Sequence, residues 1–335
     1  MSARASVIPV FVPHLGCPHA CVFCNQRRIS GQTQPVTAET VERILREALS
    51  VPSRGAKRQL AFYGGSFTAV PEALQLSLLE SAHTAILRGE IDSVRLSTRP
   101  DAVDEATLER LRRFGVRTVE LGAQSMDDAV LRLSGRGHSA EDVRRASALI
   151  RNAGFELVLQ MMTGLPGDST GKSLFTAREL IRLRPDAVRI YPTVVVKDTE
   201  LYDMWRRGEY REHTVEDAVE LCARILPLFE EAGIPVIRLG LNPTAELSSG
   251  AAAAGAYHPA LGELVRSRIL LQRARELLRD VPPDSEPVLS VPSRLFSQML
   301  GQRRVNVDSL VREFRLKDLK LVSSPGQDAP VLRLK

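Results

Sequence analysis

Long apolar runs are missing from this sequence: Ile8–Val12 and Ala251–Ala256 are among the longest, far short of the ~20 residues that span a bilayer. A transmembrane helix is thereby excluded, and no membrane partner is expected. A secretory signal is missing as well. Residues 1–16 carry one Arg and a short β-branched segment interrupted by Pro9 and Pro13, without a small-residue cleavage pattern, so the chain is expected to be cytoplasmic. No short repeat recurs. Charge of one sign is scarce in excess: 45 Lys and Arg against 40 Asp and Glu leave a net +5, enough to tolerate an anionic partner but too little for a dedicated polyanion binder. Cysteine is rare, yet three of the four, Cys17, Cys21 and Cys24, stand close together. In a reducing cytosol such a cluster points to ligands rather than disulfides.

What is present is a globular mixture, 44% hydrophobic and 25% charged, unlike a disordered or collagenous chain. At roughly 150 residues per domain the length suggests about two domains. After an apolar opening run, Ser6 to Pro13, short β-rich segments alternate with stretches of helical period. Strands are expected at Gln59–Tyr63, Ser93–Ser97, Arg117–Leu121, Glu156–Met161, Ala187–Tyr191 and Pro235–Leu239, and helices at 37–50, 71–88, 104–114, 140–152, 171–183 and 214–232. Thr37 and Asp104 are placed to cap helices, and Gly115, Gly154 and Gly233 follow helix ends. Parallel strands joined by helices bury both sheet faces, and this many βα units predict an α/β fold, a partial (β/α)6-type barrel. The pattern breaks near Asn242-Pro243, and Glu246 to Gly255 reads as a Ser-, Ala- and Gly-rich loop. The expected division is therefore a barrel over 1–244 and a small C-terminal α+β appendage over 245–335. In the appendage a long helix over Pro259–Arg279, a strand at Val288–Val291, helices at 293–301 and 306–315 and two short apolar segments are expected.

Cys17-Pro-His-Ala-Cys21-Val-Phe-Cys24 is a C-x3-C-x2-C arrangement directly after the first strand, at the mouth where barrel enzymes keep their chemistry. Three thiolates on one loop can hold three irons of a 4Fe-4S cube and leave the fourth iron open. Structural zinc, completed by His14 or His19, is the alternative, although no second ligand pair is apparent. Cys222 sits mid-helix and reads as a buried small hydrophobe.

This motif, with Phe23 just before the last cysteine, resembles that of the radical S-adenosylmethionine (SAM) enzymes. The resemblance implies a 4Fe-4S cluster on Cys17, Cys21 and Cys24, SAM as the second cofactor and an electron donor such as ferredoxin or flavodoxin. In that family the cluster cleaves SAM reductively, and the resulting 5′-deoxyadenosyl radical abstracts hydrogen from a substrate. Tyr63-Gly64-Gly65-Ser66-Phe67 is similar to the family's Gly-Gly motif, which implies that Gly64 and Gly65 bind the methionine end of SAM. Gln124, ending the fourth strand, and Arg136, after a short helix, suit a ribose and a carboxylate respectively. The same Gln and Arg pattern occurs in enzymes resembling oxygen-independent coproporphyrinogen oxidase and the Elongator catalytic subunit. Phe23 resembles the aromatic that packs beside adenine.

Ser97-Thr-Arg-Pro-Asp101, Gly164-Leu-Pro-Gly-Asp168 and Arg189-Ile-Tyr-Pro-Thr193 all lie at predicted strand ends. With the Gly-Gly motif they look most like the radical SAM domain of the Elongator catalytic subunit, over about residues 7–244. Ser97 and Gln160 depart from the wider pattern, where acidic residues are common. Residues 245–335 are too few for an acetyltransferase domain, so a shorter relative is expected. The resemblance implies a tRNA nucleoside as the leading substrate, with a tetrapyrrole or other small metabolite as the alternative; a zinc and RNA-binding module is the reading outside enzymes. Paired arginines read mostly as solvated faces. Arg27, Arg28 and the Arg303–Lys320 segment would make a phosphate-binding surface if they shared one face, and His138 and His258 are further candidates for the mouth.

Overall fold

The computed structural model describes residues 6–12, 17, 21–25, 35–52, 55–244 and 246–333. A seven-stranded sheet, all parallel, runs in the order β1-β2-β3-β4-β5-β6-β8. Its strands are β1 (Ser6–Val12), β2 (Arg58–Gly64), β3 (Ser93–Thr98), β4 (Val116–Gln124), β5 (Glu156–Thr163), β6 (Ala187–Pro192) and β8 (Val236–Leu239). The crossovers carry α1 (Ala38–Leu49), α2 (Glu72–Leu87), α3 (Glu105–Arg113), α4 (Asp128–Leu133), α5 (Ala140–Asn152), α6 (Thr170–Arg182), α7 (Glu200–Arg206) and α8 (Val215–Glu231). β1 and β8 end the order without pairing to each other, so the sheet is a half-barrel. This is the partial α/β barrel that the alternation of segments predicts.

Local chemistry explains the punctuation. The Thr37 and Ser139 hydroxyls each accept from the backbone three residues on, in reciprocal capping boxes, and Asp104 accepts from Thr107 N. The helix-facing side of the sheet is apolar and closed, with Leu60, Phe62, Leu96, Val119, Leu121, Leu157, Leu159 and Ile190 all fully buried. Alternate positions face the barrel interior and include the polar Tyr63, Arg95, Glu120, Gln160 and Arg189.

The Ala-rich segment is a correction. The expected loop over 246–255 contains a helical turn, Leu247–Ala251, and β9 (Ala252–Gly255), which pairs antiparallel with β7 (Val194–Val196). Small side chains look like loop composition, but here they admit close backbone approach: a Cβ on Gly255 would meet Thr193 O at 2.9 Å.

The chain divides into two compact units, one of Met1–Thr214 with Leu228–Tyr257, the other of Val215–Pro227 with His258–Lys335. The second holds α9 (Leu261–Leu278), α10 (Phe296–Leu300), α11 (Val305–Glu313) and a sheet in which β10 (Val288–Pro292) lies between parallel β11 (Lys320–Ser324) and antiparallel β12 (Val331–Arg333). Leu271, Ala274, Leu278, Leu289, Met299 and Leu310 build its own core.

Candidate active site

The C-terminal ends of the strands surround a cavity of about 570 Å³. Cys17, Cys21 and Cys24 line it, together with Phe23, Gly64, Gly65, Gln124 and Arg136, so the residues expected to hold the cluster and SAM share one cavity. A second cavity, about 340 Å³, lies among Ser6–Pro9, Ile44 and Ala48 at the opposite end of β1 and is remote from the cysteines.

The cysteine loop is tied down from both sides. Cys24 N donates to Cys21 O at 3.0 Å, Val22 N to Ser134 O at 3.1 Å, and Leu201 N of α7 to Val22 O at 2.7 Å. Phe23 packs with Val195, Leu201 and Tyr210. Cys21 is buried, whereas Cys17 and Cys24 are half-buried. Two buried guanidiniums approach the Cys21 sulfur, Arg136 Nη1 at 3.4 Å and Arg99 Nη1 at 4.0 Å. Two cations at this distance are placed to offset the negative charge of a metal-bound thiolate. Burial works against the Arg99 charge, but Asp101, with Cys21 and Cys17, raises its pKa above the usual value. Asp101 grips it at 2.9 and 3.2 Å, and Arg99 Nη2 donates in turn to Arg136 O.

Glycine is required at position 64, and at position 122 it leaves room for a guanidinium. Gly64 has φ +113°, and a Cβ there would meet Val12 O at 2.5 Å. At Gly122 a Cβ would meet Arg136 Nη2 at 2.8 Å, the same nitrogen that donates to Gly122 O. Beside it, the β4–β5 register shifts between Gly122 and Gln124, and Gln124 takes φ 64°, a left-handed conformation unusual for a residue other than glycine. Gln124 is buried, and its Oε1 has no hydrogen-bond partner. A buried orphan acceptor on a strained backbone marks a place prepared for a donor.

His138 is also buried. Its Nε2 lies 3.2 Å from Ala123 O, which can only accept, so that nitrogen carries the proton and Nδ1 is left without a partner. Burial, then Arg136, lowers its pKa to about 4. His258 is instead a local acceptor for Ala260 N in the second unit. Asp168 closes its own turn by accepting from Gly164 N and the Ser173 hydroxyl. His14, His19, Arg27 and Arg28 lie outside the described residues. Cys222 is fully buried.

Sequence reasoning missed the polar interior of the half-barrel. Glu120, fully buried, is contacted by Arg95 at 2.8 Å and by Arg189 at 2.8 Å. Tyr63 donates to it at 2.9 Å and Gln160 at 3.0 Å. The only signal available was alternation, because Tyr63, Arg95, Glu120, Gln160 and Arg189 each occupy an interior register position. Arg99 and Asp101 were visible as a strand-end motif but had no role until the fold brought them to Cys21.

Among the described residues no three His, Cys, Asp or Glu side chains converge as one metal ion would require. A 4Fe-4S cube binds each thiolate on a separate iron, so its ligands need not meet at a point.

A half-barrel with three cysteines after its first strand defines the radical SAM class. The chain belongs to the radical SAM superfamily, whose model matches residues 11–172, followed by the Radical_SAM C-terminal domain over 185–270. It is similar to a tRNA uridine(34) acetyltransferase of Methanocaldococcus infernus, 38% identical over 132 residues, which are 38% of this chain and 24% of the relative. Elongator complex protein 3 of Schizosaccharomyces pombe is 28% identical over 272 residues, covering 68% of this chain and half (50%) of that protein. The solved structure of archaeal M. infernus Elp3 with an N-terminal deletion superposes with a TM-score of 0.58 at 25% identity, over 81% of this chain and 63% of the other. The chain thus spans half or less of the length of these two curated relatives. No helix is long and apolar enough to cross a membrane among the described residues.

Proposed function

We propose that Cys17, Cys21 and Cys24 hold a 4Fe-4S cluster, that SAM occupies the adjoining cavity, and that the enzyme abstracts hydrogen from a tRNA nucleoside. The observation that carries this reading is Gln124: strained, buried and with an unsatisfied Oε1, it lines the same cavity as the cysteines and the Gly64-Gly65 turn. The cluster, when bound, supplies the electron that opens the sulfonium of SAM.

The chain's own residues have separate tasks. Arg99 and Arg136 offset the negative charge of the thiolates. Arg136 also has a buried Nε without a partner, suited to the carboxylate of SAM. Gly64, which packs its Cα against Val12 of β1, and Gly65 bring the turn to the cavity wall, where the methionine end binds. Gln124 Oε1 accepts from a ribose hydroxyl, and Phe23 packs beside adenine. The half-barrel walls exclude water from the reacting centre. A ferredoxin or flavodoxin is the fitting electron donor, and the names of the relatives support tRNA as the partner.

Anaerobic purification tests the reading. About four irons per chain, and 5′-deoxyadenosine from SAM under dithionite, are expected, and Cys21→Ala should abolish the cleavage. Retained cleavage in that variant would sink the assignment of the cluster. For the substrate, a strain lacking the protein should show altered tRNA nucleosides; an accumulated porphyrin precursor with unchanged tRNA would move the substrate to a tetrapyrrole.

A further inference from the structure

β8 is an edge strand of the half-barrel, and its register with β6 contains a bulge. Val188 pairs with Val236, but Arg189 pairs with Arg238, so Ile237 is the extra residue and stands 45% exposed. Residues paired in register point to the same sheet face. The bulge therefore sets Arg238, rather than Ile237, beside Arg189, whose guanidinium reaches Glu120 in the barrel interior. Bulges commonly re-aim a side chain next to an active site.

The charges on this face do not balance. Arg95 and Arg189 share the one carboxylate of Glu120, and its oxygens are further occupied by Tyr63 and Gln160. Glu156, the other carboxylate on this face, is exposed at the far end of β5 and accepts from the Thr118 hydroxyl. Arg238 Nε donates to Gly240 O at 3.1 Å, and no carboxylate among the described residues pairs with its guanidinium. Three guanidiniums facing one interior carboxylate leave a surplus of two positive charges. Burial holds the Arg238 pKa below its usual value, Tyr191 opposes that shift, and Arg189 adds to it. Like charges held side by side out of bulk water are unfavourable unless an anion joins them. Gln160 bonds to Glu120 and also lines the cysteine cavity, so the surplus lies next to that cavity.

We propose that Arg189 and Arg238, with the Tyr191 hydroxyl, form an oxyanion subsite at the open edge of the half-barrel that takes a phosphate or carboxylate carried by the substrate. This rests on the cavity being the site of substrate as proposed above. Tyr191 shares the inward face of β6, with its hydroxyl 3.5 Å from Arg189 Nη1.

Isothermal titration calorimetry of the full chain with 5′-UMP and with succinate tests it. The wild-type protein should bind at least one of them, and Arg238→Gln should weaken that binding by about tenfold or more. Arg238→Lys should restore part of the affinity, and Arg88→Gln, an exposed charge at the end of α2, should leave it unchanged. Preference for 5′-UMP assigns the subsite to a nucleotide phosphate, and preference for succinate to the carboxylate of a small substrate. No binding by wild-type protein, or an equal loss in Arg238→Gln and Arg88→Gln, overturns the subsite. Iron content and SAM cleavage of wild-type protein are read separately. If both are present without oxyanion binding, only the subsite fails; if oxyanions bind but iron and cleavage are absent, it is the radical SAM reading of the cavity that fails.

Discussion

At the scale of single residues, the site depends on side chains held where ordinary folding preferences would not put them. Gln124 holds a positive φ that asparagine also tolerates. Gln124→Asn should therefore keep stability within about 0.5 kcal/mol while weakening SAM binding, which equilibrium dialysis with labelled SAM would measure; unchanged affinity would remove Gln124 from the cofactor contacts. His138 offers a test by pH. It is neutral in the folded protein because burial lowers its pKa from 6.5 to about 4, whereas the unfolded chain takes up the proton near the ordinary value. Its contribution is fully present above about pH 6.5 and is lost as the pH falls towards 4, a change on the order of 3 kcal/mol. Urea unfolding across that window should show His138→Gln with a flatter loss than wild type.

At the scale of elements, the β4 strand does two jobs with its two faces. Val119 and Leu121 bury against helices, while Glu120 sits in the interior between Arg95 and Arg189. Removing one partner of a buried ion pair leaves the others uncompensated, which costs about 3–5 kcal/mol. Glu120→Gln should be destabilised by that order in urea unfolding; a change below about 1 kcal/mol would mean that solvent or an anion already satisfies the arginines. The end of the same strand carries the Gly122–Gln124 register shift, and the edge strand β8 carries the Ile237 bulge. The first falls where the strand meets the cavity, and each turns a polar side chain that a straight strand would point elsewhere.

At the scale of the molecule, α8 is divided between the two units, Val215–Pro227 grouping with the second and the remainder with the first. Its residues Ala218, Val219, Leu221, Cys222, Ile225 and Leu226 are buried, and Glu216 and Glu220 contact Arg268 of α9. A chain cut after Tyr257 leaves those turns without α9 and should aggregate or lose cooperative unfolding, measured by light scattering and thermal denaturation. A monodisperse, cooperatively folding fragment would show that the barrel unit does not need the rest.

The sequence alone determined the order of the seven parallel strands and the placing of the cysteines after the first strand. Alternation, helix caps and cysteine spacing are local signals, and the seven parallel strands followed them within a few residues. Local composition failed at Ala252–Gly255, where small residues that read as loop form a strand because a partner backbone comes close. Only the tertiary structure decided that Arg99 meets Cys21, that Glu120 gathers Arg95, Arg189, Tyr63 and Gln160, and that Arg238 turns inward beside Arg189. Those contacts join residues from separate strands, and register shifts govern two of the positions. A shift of one residue exchanges the two faces of a strand, and no neighbouring residue in the sequence announces it.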